Sequence, residues 1–246
     1  MIVLCTGIIR SGSTWSFNVA RLLLARGATA VRGEFSNKIR TAIRHGVAAR
    51  VEHHVIKAHE PDRFGKRMIA EGRCRTICTY RDPLDCIASG IEAFGETFED
   101  MVTLTRRHLE LLKLQREAGG VHFVWYDDIV ERPHERIRAI ADYLGQSVDE
   151  YEVRRISRSM DRDSVSRLVK ELPTAPADGK SRQQSWDPET LFHPGHIRER
   201  PRTAAELLTS QQMRYAVGQL AEFVDANGAL REPFKAIGRL QRLGAA

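Results

Sequence analysis

The chain has 246 residues, 42% hydrophobic and 28% charged, with 38 Lys and Arg against 32 Asp and Glu for a formal net charge of +6. That size buries one sizeable core, and the balance excludes a disordered or fibrous chain. No apolar run reaches the length of a membrane span, so a soluble, cytoplasmic protein without membrane partners is expected. The positive balance suits an acidic ligand. Arginines lie along 103–117 and 151–168 mixed with acids, a pattern of solvated helix faces that speaks against nucleic acid. Cys5, Cys74, Cys78 and Cys86 lack metal-ligand spacing and read as free thiols of a reducing compartment.

In chain order, Met1-Ile-Val-Leu-Cys-Thr6 is short, apolar and without a basic run before it, and reads as a first strand, not as a leader. Gly7-Ile-Ile-Arg-Ser-Gly-Ser-Thr-Trp15 follows as a small-residue turn, and Ser16-Phe-Asn-Val-Ala-Arg-Leu-Leu-Leu24 has apolar positions at helical spacing. Strand, tight turn and helix in this order aim backbone N–H groups at one point beside the positive end of a helix dipole, a site for an anion such as phosphate. The Gly-Lys-[Ser/Thr] ending of a nucleotide-triphosphate loop is absent; Arg10 precedes the turn instead.

Further strands are expected at 28–32, 54–58, 75–80 and 121–126, with helices at 14–26, 36–45, 64–70, 83–93 and 98–118. Short strands joined through helices imply an α/β fold: three layers, a parallel sheet with helices on both faces, and ligands beyond the carboxyl ends of the strands. After residue 145 the strand signal stops. A helix is expected over 149–168, a lid-like loop over 170–202, a helix over 203–227 begun near Thr209, and a basic helical tail over 232–243. The chain is thus expected to form one domain, with 1–145 as the α/β core and 146–246 as a helical part.

A second constellation is Thr76-Ile-Cys-Thr-Tyr-Arg-Asp-Pro-Leu-Asp-Cys-Ile-Ala-Ser89. A strand ends at Arg81, Pro83 opens a helix, and Ser89 lies two turns in, so a guanidinium and a hydroxyl can clasp one phosphate. Taken alone, the same residues also fit an Arg81 ion pair with Asp82 or Asp85 and a serine that fills a helix-packing site.

Together the two constellations resemble the sulfotransferases that use 3′-phosphoadenosine 5′-phosphosulfate (PAPS). Arg10-Ser-Gly-Ser-Thr-Trp15 is similar to that family's 5′-phosphosulfate loop, and Arg81 and Ser89, eight residues apart, to its 3′-phosphate motif. Lys57-Ala-His-Glu-Pro61 resembles the family's Lys-x-His-x-Pro segment, in which the histidine is the base; on a strand Lys57 and His59 point the same way. Tyr126-Asp-Asp128 resembles a segment whose tyrosine lies near the adenine. Phe192-His-Pro-Gly-His-Ile-Arg198 stands where the family carries a Gly-rich basic loop, although the common Gly-x-x-Gly-x-Trp form is absent.

The resemblance implies sulfuryl transfer from PAPS to a hydroxyl or amine of a small-molecule, sugar or natural-product acceptor. His59, Arg10 and Lys57 would act on the reacting groups. Arg10, Ser11, Gly12, Ser13, Thr14, Trp15, Arg81, Ser89, Tyr126, Gly195, His196 and Arg198 would hold the donor. No metal is expected, and a homodimer is compatible with the resemblance. Phe35, Phe94, Phe98, Trp186 and Phe192 are candidates for the acceptor pocket, with core packing as their alternative. Two other readings stay open: a P-loop small-molecule kinase, and a nucleotide- or nucleic-acid-binding module without catalysis.

Overall fold

A computed structural model describes residues 1–172, 186–194, 202–232 and 234. Five strands, β1 (Ile2–Gly7), β2 (Val31–Phe35), β3 (His53–Lys57), β4 (Arg75–Tyr80) and β5 (Val121–Trp125), form one parallel sheet ordered β2-β3-β1-β4-β5. Alternate side chains leave on opposite faces, and both faces are apolar. Val3, Cys5, Val55, Ile77 and Val124 pack with Phe17 of α1 (Ser13–Leu24), Ile140 of α7 (Pro133–Tyr143) and Ile156 of α8 (Glu150–Ser159). Leu4, Ile56, Cys78 and Phe123 pack on the other face. Their partners there include Ile39 of α2 (Ile39–Ala48), Met68 of α3 (Arg63–Ala70), Ile87 of α4 (Pro83–Phe94) and Leu109 of α5 (Phe98–Ala118). The expected α/β architecture, a parallel sheet covered on both sides, is the one observed.

Several expected boundaries move, each for a local reason. β2 runs over Val31–Phe35, three residues later than expected, because its register against β3 pairs Val31 with His53 and Phe35 with Lys57. A Cβ at Gly33, inside β2, would come within 2.7 Å of the Phe17 ring, so this glycine lets α1 lie close on the sheet. Tyr126 opens α6 (Tyr126–Glu131) and does not end a strand.

The expected helix over 149–168 is two helices, α8 and α9 (Arg162–Lys170). The first ends at Ser159, and Asp161 caps the second, accepting the Ser164 N–H at 2.7 Å. The expected helix over 203–227 also divides, into α10 (Ala204–Leu207) and α11 (Ser210–Gln219); Thr209 and Gln212 form a capping box at the second start. Beyond α11 the chain turns back and Val224 bridges Leu230. Most of the expected loop 170–202 and of the tail 232–243 lies outside the described residues. Among the described residues no helix is long and apolar enough to cross a membrane. The four cysteines are free.

Candidate active site

β1 is the central strand, with β3 on one side and β4 on the other, so the chain changes direction across the sheet at β1. In open α/β sheets the crevice beyond the strand ends at such a switch point is where ligands bind. The turn after β1 is built there. Ile8 donates its N–H to Thr79 O at 3.2 Å, and the Ser11 N–H returns to Ile8 O at 3.1 Å. The buried Ser11 hydroxyl lies 2.6 Å from Ile8 O, 2.9 Å from Thr79 O and 2.8 Å from Thr79 Oγ1. Ser11 therefore ties the turn to β4 with its own polar groups. Arg10 and Gly12 both hold left-handed backbone, at φ 67 and 95. Gly12 is the N-cap of α1, whose first-turn N–H groups have no intrahelical acceptor. Ser13 and Thr14 are buried at that end.

Two cations converge on the turn. Arg10 donates Nε–H to the Ser89 hydroxyl at 3.0 Å, and its guanidinium stands 5.4 Å from the centroid of the Phe94 ring. This joins the first motif directly to the second. Lys57, at the end of β3 and 7% exposed, donates from Nζ to Thr14 Oγ1 at 2.6 Å. An ammonium carries three donors, and among the described residues no carboxylate pairs with this one. Burial, with Arg10 adding to it, pushes Lys57 down to about 8.

His59 lies just past β3. Asn37 Oδ1 accepts its backbone N–H at 3.1 Å and that of Glu60 at 3.0 Å, which fixes the chain there. Its Nδ1 lies 3.2 Å from Gly7 O. A carbonyl only accepts, so Nδ1 carries the proton and Nε2 presents a free lone pair. Burial above all, then the charge of Lys57 and the neighbouring His108, hold His59 well below the usual imidazole value. The ring is neutral at neutral pH and able to take a proton at Nε2.

The Arg81 guanidinium does pair with Asp85, at 3.3 Å, and it also lies 4.4 Å from the centroid of the Tyr126 ring. Asp85 uses its other oxygen to accept the Ala204 N–H at 2.9 Å, which seats α10 beside the motif. Ser89 is buried against Arg10. Trp15 is 9% exposed and its indole packs in the core with Ile129 and Leu191. Gly195, His196 and Arg198 lie outside the described residues.

Of the pocket candidates, Phe35 is half exposed and its ring centroid is 6.1 Å from that of His59. Phe94 lies between Arg10 and His193. Phe98 packs on Tyr215, Phe192 is buried with Val165 and Val169, and Trp186 is exposed. Sequence reading missed Asn37, His108 and His193. His193 is pushed down to about 4 by burial and by Arg10 and Lys57. Asn18 accounts for part of its segment's placement: Nδ2 donates to Thr190 O at 2.7 Å. Nothing in the spacing of these residues marks them, because each is brought in from a distant part of the chain.

A glycine-capped turn, two cations and a neutral histidine at the switch point of a parallel sheet define an α/β protein whose strand-to-helix turn is built for an anion. The family is narrower than that. Residues 2–169 match the sulfotransferase domain, and the chain belongs to the sulfotransferase family; it is an enzyme of that class. Its fold is similar to that of mouse sulfotransferase SULT7A1 complexed with PAP, with a TM-score of 0.63 at 15% identity over 98% of this chain and 88% of that one. It is also similar to retinol dehydratase in complex with androsterone and inactive cofactor PAP, with a TM-score of 0.61 at 15% identity over 94% and 82%. A structure of retinol dehydratase with retinol and PAP matches at a TM-score of 0.60, again at 15% identity, over 94% and 83%. No curated protein sequence matches the chain.

Proposed function

We propose that the enzyme moves a sulfuryl group from PAPS to a hydroxyl or amine of a small-molecule acceptor and releases adenosine 3′,5′-diphosphate (PAP). The observation that carries the reading is the junction of three separate motifs around one turn: Arg10 on Ser89, Lys57 on Thr14, and His59 on Gly7. The residues fit the donor's chemistry. An ammonium buried with no carboxylate among the described residues, a guanidinium and a helix N-terminus form a site short of negative charge. When bound, PAPS supplies an activated sulfuryl group on a phosphate leaving group.

The first-turn N–H groups of α1, Arg10 and Lys57 would hold the 5′ end. Arg10 keeps its charge at all relevant pH and serves electrostatically, at a fixed place. Arg81 and Ser89 would hold the 3′-phosphate, with Tyr126 under the guanidinium. His59 Nε2 would receive the acceptor's proton. Phe35, exposed beside His59, and Phe94 would border the acceptor. Neither the acceptor's hydroxyl nor its amine needs charge compensation before that proton moves, which suits a neutral base.

Calorimetric titration with PAP, AMP and ATP tests this reading. PAP should bind tightest, and the margin over AMP should shrink by one to two orders of magnitude in Arg81→Ala, as expected for losing about 1.5–3 kcal/mol of charge-assisted hydrogen bonding. Equal affinity for PAP and ATP, with magnesium-dependent ATP turnover, would establish the kinase reading instead.

A further inference from the structure

α5 buries three polar side chains, Thr105, His108 and Gln115, where its other buried residues are mostly apolar. Gln115 donates Nε2–H to Thr6 Oγ1 at 2.7 Å, anchoring the helix to β1. His108 does something different. It is 2% exposed, and its Nδ1 accepts the N–H of Ile9 at 3.2 Å, inside the anion turn. Nδ1 is therefore the bare nitrogen of the neutral ring, and the proton sits on Nε2, which is buried and has no partner among the described residues. The His108 ring centroid lies 5.6 Å from that of His59, with the planes tilted by 33°.

The two histidines thus hold the same turn from two sides. His59 donates to the Gly7 carbonyl, and His108 accepts from the Ile9 amide two residues on. The next residue is Arg10, whose left-handed φ of 67 is one that a side-chain-bearing residue keeps only where its surroundings impose it. An apolar side chain in place of His108 would leave the Ile9 N–H without this acceptor. A protonated imidazole would set a second donor against it. Burial and the charge of Arg107 push His108 down to about 4, so the acceptor persists at neutral pH.

We propose that His108 is a positioning residue of the transfer site: by holding the Ile9 amide it sets the Arg10 turn, and by lying against His59 it fixes the base. The inference rests on the PAPS reading above for its ligand, and on the turn geometry for its substance.

The test compares His108→Leu with His108→Asn by calorimetric titration with PAP, with thermal melts to establish folding. An asparagine Oδ1 can accept the Ile9 N–H; a leucine cannot. PAP should bind at least tenfold more weakly to His108→Leu and within about threefold of wild type to His108→Asn. A merely structural core position gives the opposite order, since leucine suits an apolar interior better than asparagine. Leucine and wild type binding PAP equally well would overturn the inference.

Should His108→Leu fail to fold, the long-range 1H–15N spectrum of the wild-type histidines decides. His108 should be the Nε2–H tautomer and His59 the Nδ1–H tautomer. The reverse assignment for His108 overturns the proposal. Wild type that does not bind PAP overturns the donor reading alone, because the tautomers are read without any ligand.

Discussion

Lys57 shows how much one residue gives up for the site. Its ammonium is buried, with Thr14 Oγ1 as its hydroxyl acceptor among the described residues, and burial with help from Arg10 holds it at about 8, below the ordinary 10.5. The sign follows from that order. Between pH 8 and 10.5 the unfolded chain keeps a proton that the folded chain has lost, so stability rises with pH; below pH 8 the penalty is fully present, at about 3 kcal/mol. Lys57→Met should therefore raise the urea midpoint of the ligand-free protein at pH 7 while weakening PAP binding at least tenfold. A variant that is less stable yet binds PAP normally would make Lys57 a structural residue. At this scale the sequence was legible wherever chemistry is local. Lys57 and His59 share one strand end, and Arg81 and Ser89 one strand-to-helix turn. His108 and Asn37 were not legible, because their partners are 99 and 22 residues away and a lone histidine or asparagine carries no spacing to read.

Among the elements, the junction of β1 and α1 carries the most demanding geometry. Gly12 caps α1 at φ 95, and a Cβ there would stand 2.7 Å from Ile129 Cδ1. Left-handed backbone costs an L-residue about 1–2 kcal/mol, and the Ile129 methyl must also move. Gly12→Ala should lower stability by that order and, by re-aiming the first-turn N–H groups, weaken PAP binding about tenfold. In an Ile129→Ala background, which lacks the clashing methyl, Gly12→Ala should cost only the backbone strain. PAP affinity unchanged in Gly12→Ala would mean that those amides do not face the donor. The turn itself could be read from small residues between an apolar run and a helical one. The start at Thr209 was legible too, but the break at Asp161 is harder, since it lies in a polar, arginine-rich stretch where continued helix and a new cap look alike. The start of β2 was misplaced for another reason: it is set by pairing of Val31 with His53 on β3, a register that the local residues do not carry.

Over the whole molecule, the placing of histidines makes the fold sensitive to acid. His108, His122 and His193 are each pushed down to about 4, burial being the largest cause in every case, and His59 lies well below its usual value. For His108, His122 and His193 the unfolded chain takes up the proton below about pH 6.5, whereas the folded chain resists until near pH 4, so stability is lost as pH falls through that window. At pH 5 His108, His122 and His193 each withdraw about 2 kcal/mol, and together they rival the 5–15 kcal/mol that holds a domain folded. Several carboxylates that pair with arginines, such as Glu34 and Glu150, are held low and pull in the same direction at lower pH. His122 separates this global effect from the active site. It lies on β5 with its ring stacked 5.2 Å from that of Tyr143, and its Nε2 is buried with no partner among the described residues. His122→Phe keeps the stack and removes the titration. It should be more stable than wild type by about 2 kcal/mol at pH 5 and differ little at pH 8. Parallel stability curves for the two proteins from pH 8 to 5 would show that His122 takes up its proton alike in the folded and unfolded chains, and that acid sensitivity resides in the histidines around the anion turn.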